Sequence, residues 1–324
     1  MSFLHAAWLK RLKPLARWVV VGAAIAFLLH TLVRHWDDIS SLRISPQGWS
    51  LLLLALGVTL LAHTWAGWVW SWALQALQQP IPGSWSAPVY LQTNLLKYLP
   101  GNVWHFFGRV RALRSAGVDN GTAIIGVALE PLLMAAAALV VGIATPTHYW
   151  PLQLLSLGVV LATLSPRWLN PLVNRLGRSK TAAITASESP SPPPIQNSKF
   201  KIQNSPSPGL RHYPLKPLLG QFGYIALRGI GFCLVLNAVT PLAAIAWPST
   251  ISAFSLAWLG GLVVPGAPGG LGVFEAIALS LLQGQFSAAV VLSAVVLYRV
   301  VSTLAEALGA GLATLDQSLS STLK

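Results

Sequence analysis

Five ionisable residues, Glu130, Arg228, Glu275, Arg299 and Glu306, stand well inside runs of sequence that are otherwise apolar, and Lys97 joins them from a moderately apolar stretch. At the middle of a lipid bilayer each such group costs about 2.5–3.5 kcal/mol on insertion scales. Three acids set against three bases predict mutual pairing in a shared interior. Two kinds of chemistry fit that interior: ion pairs that hold helices in register, or the lining of a polar cavity that handles a head group, an ion or a proton. Arg299 and Glu306 are seven residues apart, so one helix carries them on one face two turns apart. There they flank a cavity more readily than they bond each other.

Helix breakers accompany these charges. The stretch "PGNVWHFFGR" sets Pro100 and Gly101 ahead of Arg109, and "PGAPGGLGVFE" sets Pro268, Gly269 and Gly270 ahead of Glu275. Proline ends helical hydrogen bonding, and glycine opens backbone angles and close approaches closed to other residues. Irregular backbone at membrane depth is tolerated only where protein or water surrounds it, so both stretches read as broken or re-entrant segments whose Pro-Gly positions form a gate. A helix beginning near Gly270 places Glu275 in about its first turn and a half, where the helix dipole favours an anion. The same terminus suits a phosphate, and Arg228 or Arg299 is the cation expected to pair with Glu275. From Pro100, Arg109 follows after nine residues and Glu130 after thirty; from Pro268, Glu275 follows after seven and Arg299 after thirty-one. The order of charge is reversed between the halves, a weak pseudo-repeat of the kind transporters use.

The elements that must position these residues follow from composition. Of 324 residues, 54% are hydrophobic and 9% charged, against roughly 25% charged in a soluble domain. The chain is therefore expected to be an all-α integral membrane protein, a polytopic bundle for which the length allows about six to nine crossings of about 20 residues each. A basic N-terminus (1–17) precedes a first membrane half (18–164); a Pro- and Ser-rich basic segment (165–214) with a repeated IQNS element reads as a disordered linker; a second membrane half (215–315) and a short tail (316–324) complete the chain. Within the first half, the apolar run after the basic N-terminus reads as an uncleaved span, and Trp65, Trp68, Trp70 and Trp72 crowd one end of the next span as an interface belt.

The net charge of +13 is concentrated at Lys10–Arg17 and Arg167–Lys216, which assigns both regions to the cytoplasmic side of a plasma membrane facing anionic lipid, and argues against nucleic acid as the partner. The single cysteine, Cys233, leaves no internal disulfide and reads as a buried, inert thiol. No metal-ligand spacing, phosphate-binding Walker loop or Ser, His, Asp constellation is present. No catalytic residue, metal or cofactor is assigned, and the chain is not expected to be an enzyme. A membrane-embedded enzyme or accessory subunit using Glu275 as general base, and a scaffold recruiting a protein partner through the basic linker, stand as alternatives.

The stretches "NLLKYLPGNVWHFFGRVRALRSAG" with "ALEPL", and "VPGAPGGLGVFEAIAL" with "YRVVSTLAEALG", resemble the membrane region of the lysylphosphatidylglycerol synthase family, a group of flippase-like proteins. The resemblance implies about seven or eight spans with two re-entrant segments, and movement of a lipid between leaflets. For a lipid translocase, Lys97, Arg109, Arg228 and Arg299 are expected to contact an anionic lipid head group while Glu130, Glu275 and Glu306 balance them. The sequence ends at Lys324 without the soluble aminoacyl-transferase domain of the family's synthases, so lysyl transfer is not expected of this polypeptide.

Overall fold

The computed structural model describes residues 44–98, 103–143, 150–171, 209–264, 270 and 272–322. All regular structure among them is helical. The first half holds α1 (Pro46–Ala76), α2 (Gly83–Asn94) running into a tight turn at Leu95–Tyr98, α3 (Trp104–Ser115), α4 (Asn120–Ile143) and α5 (Trp150–Thr163). The second half holds α6 (Leu215–Val239), α7 (Trp247–Val263), α8 (Val273–Leu282) and α9 (Ala288–Thr322).

Four helices, α1, α4, α6 and the Ala288–Asp316 part of α9, are long and apolar enough to cross a membrane, and this marks the chain as a membrane protein. Seven or eight full crossings are not reached among the described residues. At about 1.5 Å per residue, α2, α3 and α8 are near 15–18 Å long, half of a hydrocarbon core of about 30 Å. The α9 helix carries an apolar face suited to lipid, where Val296, Val300, Leu304, Leu308 and Leu312 are all exposed at four-residue spacing. Each half repeats one plan, in which a long helix is followed by a helix that breaks (α2 to α3, α7 to α8) and then by another long helix.

Local chemistry explains the boundaries. Ser45 caps α1 by accepting the Gly48 N–H at 3.1 Å, with Pro46 pre-set for the first turn. Asp119 opens α4 by accepting from the N–H groups of Gly121 and Thr122 at 3.0 and 3.1 Å. The α4 helix continues through Pro131, whose ring faces the cavity described below. The principal packing is α1 on α6, where small residues meet: a Cβ on Gly231 would lie 2.8 Å from the Thr59 hydroxyl, and one on Gly220 would lie 2.6 Å from Val69. In membranes such small-residue faces let backbones approach closely.

Three expectations change. The Trp cluster is not simply an interface belt, because Trp70 is fully buried, donates to the Gly126 carbonyl at 3.1 Å and stacks near Trp85. Structure also extends into the linker expected over 165–214: residues 166–171 are helical, and the Asn170 side chain donates to the Leu210 carbonyl at 2.9 Å and accepts its N–H at 2.7 Å. The α9 helix runs past the expected end at Leu315 to Thr322. The N-terminal segment and span, the linker core and Pro100, Gly101, Pro268 and Gly269 lie outside the described residues. Cys233 is buried and unpaired.

Candidate functional site

The long helices deliver charge near their midpoints. His63, Glu130 and Arg228 each lie within two residues of the middle of α1, α4 and α6. Around them is a cavity of about 530 Å³, in the size range of small-molecule sites. Lys97, Arg109, Glu130, Arg228 and Arg299 line it, and Glu275 and Glu306 stand directly behind, each bonded to a lining cation. All seven charged residues nominated from the sequence therefore come together. Of the gate residues, Gly270 reaches the same wall, beside Gly261 and Leu262 at the break between α7 and α8.

Pairing is specific. Arg109, from α3, forms a short ion pair with Glu130 of α4. Its other nitrogens reach the Thr93 hydroxyl at 3.3 Å and the Asn94 carbonyl oxygen at 3.2 Å, and its guanidinium lies 3.8 Å from the centre of the Tyr90 ring. Tyr90 completes the group by donating its phenol to Glu130 at 2.6 Å. Cation-π contact and full hydrogen bonding are what a desolvated arginine requires.

Glu275 works differently. It occupies the third position of α8 and accepts the N–H of Gly272 at 2.7 Å, while its other oxygen accepts from Arg299 Nε at 2.5 Å. The expected position near a helix N-terminus is confirmed, and the partner is Arg299 rather than Arg228. Arg299 and Glu306 share a face of α9 without bonding each other: Glu306 instead accepts from Lys97 at 2.5 Å and from the Tyr98 phenol at 2.9 Å.

Arg228 has no carboxylate partner among the described residues. One Nη contacts His63 Nε2 at 2.9 Å and donates to the Ser302 hydroxyl at 3.1 Å, and its Nε has no hydrogen-bond partner. Tyr298 supports it from below, donating to the Arg228 carbonyl at 3.0 Å with its ring 5.3 Å from the guanidinium. Phe232 and Phe254 pack Tyr298 in an aromatic cluster at 5.5 and 5.4 Å. The balance of three acids and three bases expected from the sequence is thus corrected. Arg109, nominated as a head-group contact but left out of that count, joins as a fourth cation, only 2% exposed, and takes Glu130 for itself. Among the described residues, with His63 neutral, four cations and three carboxylates at the cavity leave one positive charge in excess, and it resides at Arg228.

Several participants were missed from sequence. His63 was legible by the criterion applied to the glutamates, since it stands mid-way along an apolar span. Ser302 shares a helical face with Arg299 and Glu306, at spacings of three and four residues. Tyr90, Tyr98, Tyr224 and Tyr298 gave no such signal, because a tyrosine near an apolar run is equally at home in a core or an interface. His105, noted near the first Pro-Gly motif, lines the cavity against Phe106. Among the described residues no three His, Cys, Asp or Glu side chains converge to hold a metal ion. The chain matches no described protein family and no curated protein sequence, so what the cavity holds is argued from its own geometry.

Proposed function

We propose that this protein is a flippase-like membrane protein that takes an anionic phospholipid head group into the cavity and passes it between leaflets, the role implied by the family it resembles. The observation that carries the reading is the excess positive charge at Arg228, a cavity-lining guanidinium bonded, among the described residues, only to neutral side chains. A buried charge without a counter-ion is unfavourable, and a phosphate oxygen supplies both the missing charge and a charge-assisted hydrogen bond. Aromatic walls from Tyr224, Trp258 and Phe274 suit the glycerol and upper acyl region that follows a head group inward. Gly261 and Gly270, which pack closely against each other on this wall, serve as the gate in this reading.

Proteoliposomes loaded with head-group-labelled phosphatidylglycerol test the proposal through loss of label accessible to an external quencher. Wild-type protein is expected to equilibrate the labelled lipid between leaflets, with phosphatidylcholine moved more slowly. Arg228→Gln, which keeps a hydrogen-bonding side chain and removes the charge, is expected to slow phosphatidylglycerol movement by at least about tenfold, the loss of one charge-assisted hydrogen bond. Equal movement by wild type and Arg228→Gln overturns it.

A further inference from the structure

His63 Nε2 faces two groups that demand opposite things of it. Arg228 Nη1, at 2.9 Å, can only donate, so the contact requires a lone pair on Nε2. Glu306 Oε1, at 3.2 Å, can only accept when ionised, so a hydrogen bond there requires a proton on Nε2. One nitrogen cannot meet both at once. With Arg228 bonded to it, His63 is the neutral tautomer carrying its proton on Nδ1, and Nδ1 is buried without a partner.

The surroundings set which state holds. The α6 helix presents Arg228 and the Tyr224 ring, the latter 6.4 Å away. The α9 helix presents Glu306, with Ser302 and Tyr298 bonded to Arg228. Lys97, from the turn after α2, shares the same Glu306 oxygen that faces His63. Beyond these, Tyr90 of α2, Arg109 of α3 and Glu130 of α4 form their own closed group. The charge nearest His63 is therefore Arg228, at 2.9 Å against 3.2 Å for Glu306; it has no carboxylate in ion-pair contact among the described residues, and it both occupies the lone pair and repels a second positive charge.

We propose that His63 is a proton-binding site linked to the anion site, so that each anionic head group held by Arg228 enters with one proton on His63. This inference rests on the reading of the cavity as an anion site. When an anion draws the Arg228 guanidinium toward itself, Nε2 loses its donor and the repelling charge is neutralised. A proton from water then adds to the Nε2 lone pair, Nδ1 keeps its own, and the imidazolium donates to Glu306 Oε1 across the 3.2 Å contact. Release of the anion returns Arg228 to Nε2 and expels the proton. The shared chemistry is that of a phosphate oxyanion, whether on a lipid or free in solution.

Calorimetric titration of the detergent-solubilised full chain with dihexanoyl phosphatidylglycerol, in two buffers of different ionisation enthalpy, counts protons taken up on binding. A parallel titration with inorganic phosphate tells a lipid head group from the free ion. Wild type is expected to take up close to one proton per anion bound, and its affinity to weaken by up to about tenfold per pH unit as pH rises through the range of uptake. His63→Gln, whose amide can still accept from Arg228, is expected to bind without proton uptake and with an affinity flat in pH. Binding by wild type with the same heat per anion in both buffers overturns the proton linkage alone, as does uptake that persists in His63→Gln. Absence of binding by either probe overturns the anion site and the linkage together. The wild-type result decides the matter even where the variant does not fold.

Discussion

The Arg109 and Glu130 pair and the Glu275 and Arg299 pair occupy matching places in the two halves. Each joins the short helix after a break to the long helix that follows it, with the charges exchanged. Their surroundings differ. The first pair is sealed, both side chains being 2–3% exposed, and is wrapped by Tyr90, Thr93 and Asn94. In the second, Glu275 is buried while the Arg299 side chain is 29% exposed on the cavity. The difference follows from where each carboxylate stands. Glu275 sits at a helix N-terminus, where the main chain and the dipole already satisfy it. Glu130 is mid-helix, where only side chains can. Arg109 is therefore needed where it is, whereas Arg299 can exchange its partner. In the proposed transport reading, the first half supplies scaffold and the second half supplies the part that moves.

The sharpest way to break this contrast is to remove the sealed cation. Arg109→Met leaves Glu130 ionisable and unpaired in a dry site, and the loss of one partner of a buried pair costs about 3–5 kcal/mol. Thermal unfolding in detergent is expected to show this as the largest drop in Tm of any single site variant. The double variant Arg109→Met, Glu130→Met is expected to recover most of it, because apolar replacement of both partners is often neutral. A double variant as unstable as the single one would show that Arg109 acts through something other than this pair.

The first half also shows what a sequence reveals. Charges in apolar runs are costly enough to be conspicuous, and the six residues nominated on that ground all reach one region. One helix was equally plain, since α6 begins and ends at Leu215 and Val239 as the apolar run does, whereas α9 runs seven residues past its expected end. Partner choice was not legible, because it depends on rotations and distances between helices far apart in sequence. Arg109 lies in a stretch whose other arginines, Arg111 and Arg114, are exposed, and only tertiary packing separates it from them. Trp70 misled for the same reason, since an amphipathic ring fits a membrane interface and a core equally well.

A smaller effect is expected at the break itself. Gly270 has φ of +70°, and a Cβ there would lie 2.8 Å from the Gly261 Cα, so alanine meets backbone that cannot give way. Gly270→Ala is expected to cost roughly 1–3 kcal/mol through strain, confined to the second half. Gly311→Ala is the control: it has nothing within 4 Å of the added carbon and lies within α9, where alanine is favoured over glycine by roughly 0.5–1 kcal/mol. Hydrogen exchange localises the difference, with α7 and α8 losing protection while α1 and α4 keep theirs. Loss spread evenly over both halves would mean that the two are not separable as scaffold and moving part.

The smallest change in stability is expected where the comparison is most informative. In Glu275→Gln the amide oxygen still accepts the Gly272 N–H, so α8 keeps its cap, and Arg299 is exposed enough to be hydrated. Unfolding is expected to shift by about 1 kcal/mol, the scale of one net hydrogen bond, far less than for Arg109→Met. Its effect on lipid movement is the opposite. With Glu275 neutral, its contact with Arg299 loses the charge that draws the guanidinium back from the head group, so the anion is held longer before release. Phosphatidylglycerol is expected to bind several-fold more tightly while its movement between leaflets slows by about tenfold, since a charge-assisted hydrogen bond of roughly 1.5–3 kcal/mol must now be broken without replacement. Tighter binding together with slower movement marks an exchanging pair. Weaker binding with a large loss of stability would instead place Glu275 and Arg299 with Arg109 and Glu130, as structure alone.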